Sequence, residues 1–120
     1  MPSENPALRL RHIVEAIDDI AAFSADHPTR AHITADRKTI RAIERCFQII
    51  SEAARKMGAE ADALCPGMPW HDIRGMGNRL RHEYDAIDRD ILLRTLDSDL
   101  PALRTACIEA LRTHFGEDLR

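Results

Sequence analysis

Residues 40–58 read Ile-Arg-Ala-Ile-Glu-Arg-Cys-Phe-Gln-Ile-Ile-Ser-Glu-Ala-Ala-Arg-Lys-Met-Gly, and their pattern decides the fold. Ile40, Ile43, Phe47, Ile50, Ala54 and Met57 recur in alternating steps of three and four, the spacing that stacks side chains on one face of an α-helix. Gly58 supplies the stop, because glycine accepts the conformations that end a helix at no steric cost. Cys46, Ile49 and Ala53 widen the apolar stripe beyond a coiled-coil seam. The spacing therefore predicts a central helix buried on two sides. Ser51, Ala53 and Ala54 are small enough to let another helix approach it closely.

Working outward toward the N-terminus, Leu10, Ile13, Val14, Ile17 and Ala21 form a second helical stripe running to about Phe23. Asn5 is its natural cap and Pro6 its first helical residue. His27-Pro28 ends it, and residues 28–35 carry only a weak signal for a short helical turn. Toward the C-terminus, residues 58–69 hold two glycines and two prolines and read as a loop. A helix then begins near Pro69-Trp70, with Ile73, Met76 and Leu80 on one side and Tyr84 next on that line. Gly75 and Gly77 weaken it by about 1 kcal/mol each relative to alanine, so their pairing predicts the close approach of a backbone or a ligand. Asp85 to Asp88 reads as a break, with Asp88 capping a short helix that contains Ile91, Leu92 and Leu96. Ser98 or Asp99 caps the last helix, with Pro101 in its first turn, Leu103, Cys107, Ala110 and Leu111 facing inward, and Phe115-Gly116 closing it. The expected architecture is an all-α up-and-down bundle of four main helices plus short connecting pieces, in one domain spanning residues 1–120.

Composition agrees. Apolar residues make up 44% of the chain but aromatics only 4%, a palette that suits helix-on-helix packing better than a sheet. The formal charge of −3 excludes a general nucleic-acid coat, so any contact with RNA or DNA falls to a local basic patch. No apolar run approaches a membrane span and the N-terminus lacks a signal peptide's apolar core, which makes the cytoplasm the expected location and a membrane partner unexpected. Cys46, Cys65 and Cys107 are too widely separated for a Cys-x-x-Cys site. Cys46 and Cys107 lie in apolar helical patterns and read as buried thiols.

The chemistry concentrates in Asn78-Arg79-Leu80-Arg81-His82-Glu83-Tyr84-Asp85. On a helix Asn78 and His82 are i, i+4 neighbours, Arg79 and His82 are i, i+3 neighbours, and Arg74 lies two turns before His82. Arginine neutralises phosphate and histidine moves protons near neutral pH. RNA cleavage without a metal needs a base for the 2′-hydroxyl, an acid for the leaving oxygen and a cation for the phosphorane. Arg79 and Arg81 beside His82 press it toward its neutral form, while Glu83 or Asp85 opposes them. Two copies meeting across a dimer would supply both acid and base. The bland reading is a solvated basic helix end.

Residues 70–88, Trp-His-Asp-Ile-Arg-Gly-Met-Gly-Asn-Arg-Leu-Arg-His-Glu-Tyr-Asp-Ala-Ile-Asp, resemble the signature of the HepT-like (DUF86) branch of the HEPN superfamily. Residues 41–55 resemble that family's central helix. The resemblance implies a helical-bundle homodimer acting as a ribonuclease toxin on RNA, paired with a minimal nucleotidyltransferase antitoxin that transfers AMP to the motif tyrosine. It implies His82 as the catalytic histidine, Asn78 as its polar companion and Tyr84 as the modified residue. The sequence departs from the pattern at one point. The family places an arginine five positions before the histidine, and here that position is Gly77. Arg74, Arg79 or Arg81 then has to bind phosphate, or the chain is a non-catalytic nucleotide-binding or docking partner of the nucleotidyltransferase. A third reading, a helical dimer without a ligand, leaves the basic cluster unexplained. No cofactor is expected.

The remaining polar residues read as structural. Trp70 packs over the core. Glu44, Glu52 and Arg55 form pairs along the central helix, Asp18 and Asp19 are solvated, and Arg104 and Arg112 line the outer face of the last helix. His12, His27, His32, His71 and His114 lack ligand spacing, so no metal is expected.

Overall fold

The computed structural model describes residues 5–82, 94 and 98–119, with the backbone alone described for 78–82. Six helices follow in order among these: α1 (Pro6–Ser24), α2 (Arg30–Ala35), α3 (Arg37–Met57), α4 (Ala59–Leu64), α5 (Trp70–His82) and α6 (Leu100–Phe115). The fold is all-α, as the periodicity requires. Helix α3 is its centre, packing on α1, α5, α2 and α4, while α6 packs on α1.

Local chemistry sets the helix ends. Asn5 Oδ1 accepts from the Leu8 amide at 3.0 Å, with Pro6 opening α1. Asp36 begins α3, its Oδ1 accepting from the Lys38 and Thr39 amides at 3.1 and 3.4 Å. The Thr39 hydroxyl bond at 2.9 Å, with the Thr39 amide, His27 and Lys38, holds the Asp36 carboxyl below its ordinary value. Asp99 occupies the cap position of α6, yet its side chain makes no capping bond. The Ser98 hydroxyl donates instead to the Arg94 carbonyl at 2.7 Å. Gly116, at φ 65°, ends α6 in the left-handed region.

One expectation is met and one changes. The weak signal at 28–35 becomes α2, capped by Thr29, whose hydroxyl accepts from the His32 amide at 3.2 Å. The predicted loop at 58–69 contains α4. Gly58 and Pro66 punctuate the stretch, but the six residues from Ala59 are good helix formers, with Glu60 and Asp62 at the favourable N-terminal end. Gly58, at φ 56°, serves both helices: its amide donates to the Ala54 carbonyl and its carbonyl accepts from the Ala61 amide. The expected short helix around Ile91, Leu92 and Leu96, with Asp88 as its cap, lies outside the described residues.

The core joins α1 (Leu10, Ile13, Ile17, Ile20), α3 (Ile43, Phe47, Ile50, Met57) and α6 (Leu103, Cys107, Leu111), all buried. Trp70 is buried as expected, and its indole donates to the Cys65 carbonyl at 3.0 Å, which satisfies the one polar atom of the ring. All three cysteines are buried and free. A hydrogen bond with Cys65, reinforced by burial, keeps the Cys107 thiol protonated. Asp18 is not merely solvated: Arg104 Nε reaches its Oδ1 at 2.7 Å and ties α6 to α1. No helix among the described residues is long and apolar enough to cross a membrane.

Candidate functional site

The motif helix α5 is fixed to α3 by three residues. The Ser51 hydroxyl donates to the Arg74 carbonyl at 2.8 Å and accepts from the Gly77 amide at 3.1 Å. The Arg74 guanidinium reaches further along α3, with Nη2 at 2.7 Å from the Gly58 carbonyl and Nε at 3.4 Å from that of Ala54. Asp62 of α4 lies 3.7 Å from the same Nη2. Residue numbers therefore rise along α5 as they fall along α3, and the helices run antiparallel. A Cβ at residue 77 would stand 2.6 Å from Ser51 Oγ and 2.9 Å from Ser51 Cβ. Gly77 is thus the point of closest approach. The expectation of such an approach holds at Gly77 and fails at Gly75, where a Cβ would meet nothing within 4 Å.

Arg74 has a structural task. It adds a charged donor to the Ala54 and Gly58 carbonyls, which already accept from the Gly58 and Ala61 amides, and it joins α3, α4 and α5 at one corner. Arg74→Gln should lower stability by about 1.5–3 kcal/mol, the range for charged hydrogen bonds. Thermal unfolding would register that loss. An Arg74 that bound phosphate would instead weaken RNA binding with little change in melting temperature.

Beyond Gly77, the backbone of α5 carries Asn78, Arg79, Arg81 and His82 toward the N-terminal half of α3. Five residues at about 1.5 Å each bring His82 roughly 7.5 Å past Gly77, level with Arg45 to Gln48. The side chains of Asn78, Arg79, Arg81 and His82, and all of Tyr84, lie outside what is described.

Glu44 and Ser51 are the buried polar residues among those described, and they share one face of α3 two turns apart. Glu44, read from its spacing as a member of a pair along the central helix, is buried at 5% exposure. Arg45, Gln48, Ser51, Glu52, Arg55 and Gly77 line a small cavity of about 70 Å³ where α3 meets α5. Arg55 accordingly sits at the motif helix. Lys56 Nζ lies 3.3 Å from Glu52 Oε1. That hydrogen bond and charge, with lesser help from Arg45 and Arg55, hold the Glu52 carboxyl below its ordinary value. Sequence reasoning missed Arg45 altogether. The available signal was its position one, two and three turns along the same line as Gln48, Glu52 and Arg55.

Elsewhere, His27 Nε2 lies 3.0 Å from Thr39 Oγ1 and 3.3 Å from Asp36 Oδ2, a structural contact at the start of α3. Among the described residues, no group of three or more histidine, cysteine or carboxylate side chains is arranged to hold a metal ion.

Residues 13–110 match the family described as "Ribonuclease HepT-like". A Thermococcus cleftensis protein named "Probable ribonuclease HepT" is 32% identical over 95 residues, covering 79% of this chain and 86% of its own length. "Putative RNase MJ1216" of Methanocaldococcus jannaschii is 26% identical over 119 residues, covering 98% of this chain and 97% of its own. A second protein of that organism, "Putative RNase MJ1380", is 31% identical over 96 residues, with 79% and 86% covered. No solved structure matches the chain.

Proposed function

The chain belongs to the ribonuclease HepT-like family, and from that membership we propose that it is a metal-independent endoribonuclease that works as a homodimer. The carrying observation is that the family match covers residues 13–110, a range that holds α3 and the motif helix with His82 and Tyr84. In this reading His82 takes the 2′-hydroxyl proton, and the partner subunit's His82 protonates the leaving 5′-oxygen. The 2′-oxygen bonds to phosphorus as the 5′-oxygen departs, leaving a cyclic phosphate. Arginine stabilises the charge on the phosphorane. With Arg74 engaged at the end of α3, Arg79 and Arg81 are the motif arginines that remain for this work. Asn78, one turn before His82, orients the imidazole or the phosphate.

The biological role in this reading is that of a toxin. A minimal nucleotidyltransferase antitoxin neutralises it by binding and by transferring AMP to the Tyr84 phenol, two residues from the histidine, where bulk and negative charge repel RNA. One observation favours a second reading. Gly77 removes the arginine that the family motif supplies, which fits a non-catalytic docking partner of the nucleotidyltransferase.

Expression of the chain alone, and of the chain with a neighbouring nucleotidyltransferase, separates the two. The first reading expects growth arrest, RNA cleavage that survives EDTA, and a mass gain of one or more AMP units on the Tyr84 peptide after co-expression. A harmless chain that leaves RNA intact would establish the docking role instead.

A further inference from the structure

We propose that Arg45 and Arg55 of α3 are the phosphate-binding cations of this site, replacing from the neighbouring helix the arginine that Gly77 lacks. The proposal deepens the ribonuclease reading and rests on it for the identity of the ligand, single-stranded RNA.

Arg45, Gln48, Glu52 and Arg55 are spaced i, i+3, i+7 and i+10, so they form one line along α3. Arg41 extends that line one turn toward the N-terminus. The line borders the α5 contact, because its members and Gly77 enclose the same small cavity. A space of about 70 Å³ is large enough for the oxygens of a phosphoryl group. Both arginines are exposed, and among the described residues neither makes an ion pair. Arg45 Nη1 rests 3.5 Å from Gln48 Oε1, a weak bond that a phosphate oxygen would readily replace. Glu52, the one acid in the line, is turned to Lys56.

Register places this line beside the chemistry. Gly77 is level with Ser51, and His82 lies about five residues further along an antiparallel helix, level with Arg45. A strand laid along α3 would present one phosphate at Arg55, beside Gly77, and another at Arg45, beside the histidine. The motif arginine is thus redundant in this chain, because cations of the facing helix border the space where it would have emerged. The acidic body of the protein, at a net charge of −3, makes such a line the local basic patch that RNA binding demands.

The test uses the full chain carrying His82→Ala, so that bound RNA stays intact, and a fluorescein-labelled single-stranded RNA followed by anisotropy across a range of KCl concentrations. Each phosphate contact to a single strand contributes about 0.7 to the slope of log K against log salt. Arg45→Gln with Arg55→Gln should reduce that slope by about 1.4 and weaken low-salt binding at least tenfold. Arg45→Lys with Arg55→Lys should restore the slope, which a folding defect would not. Arg11→Gln with Arg112→Gln, removing equal charge from α1 and α6, should leave it unchanged. An unchanged slope in the Arg45/Arg55 glutamine pair overturns the proposal, and continued RNA cleavage by the wild-type chain would then leave the ribonuclease reading standing. RNA bound through these arginines but never cleaved by the wild-type chain supports the proposal and removes the catalytic reading. A wild-type chain that binds no RNA overturns both, and the line then belongs to an acidic protein partner.

Discussion

If the chain is the proposed ribonuclease, replacing His82 with alanine should lower the rate of RNA cleavage by roughly 10²–10⁴-fold, the contribution expected of a positioned general acid or base. Single-turnover cleavage of a labelled oligonucleotide at saturating protein is the decisive measurement, because it isolates chemistry from binding. RNA affinity should change little, since the phosphate contacts come from arginines. Growth arrest on expression should disappear with the same substitution. In a dimer whose two histidines serve one cleft, mixing wild-type and alanine subunits should give heterodimers that are nearly inactive rather than half active. Full activity in the alanine variant would remove His82 from the mechanism.

Restoring the family's arginine with Gly77→Arg produces a less stable protein, not a better enzyme. The first atom of any side chain at residue 77 would meet Ser51 Oγ at 2.6 Å and Ser51 Cβ at 2.9 Å. The hydroxyl cannot rotate away without giving up its bonds to the Arg74 carbonyl and the Gly77 amide. The Cβ is fixed to the α3 backbone, so α5 has to move instead. Overpacking of this kind costs about 1–3 kcal/mol, and a shift of α5 carries His82 with it. Ser51→Gly combined with Gly77→Arg should recover much of the loss, although glycine at 51 itself costs about 1 kcal/mol in a helix interior. A thermodynamic cycle over the two positions should give a favourable coupling energy. Strict additivity would show that the two side chains do not compete for one space.

The helices of the core were legible because each rests on local chemistry. The three-and-four spacing of α3, the Asn5-Pro6 start of α1 and the Gly116 close of α6 act within a turn of where they stand. Helix α4 was hidden by its punctuation, since Gly58 and Pro66 bound a run too short for any apolar period to declare itself. For the candidate site, the sequence offers residue types but not their partners. Gly77 reads in one dimension as a missing arginine. In three dimensions it is the place where α5 rests on Ser51, 26 positions away, and no local pattern joins the two. Arg74 likewise sits among phosphate-binding candidates in sequence, while its guanidinium is occupied by the last carbonyls of α3. Glu44 and Arg55 resembled ordinary flank residues because burial and cavity lining depend on which helix comes to lie beside them.

The indole at the head of α5 is the single tryptophan of the chain. It is enclosed by neighbours and tethered to a backbone oxygen just upstream. Its emission is therefore a built-in optical gauge of whether the histidine-bearing segment is seated. A red shift under denaturant, acid or a bound partner would announce that segment lifting away, with no label attached and no other fluorophore of its kind to confuse the signal.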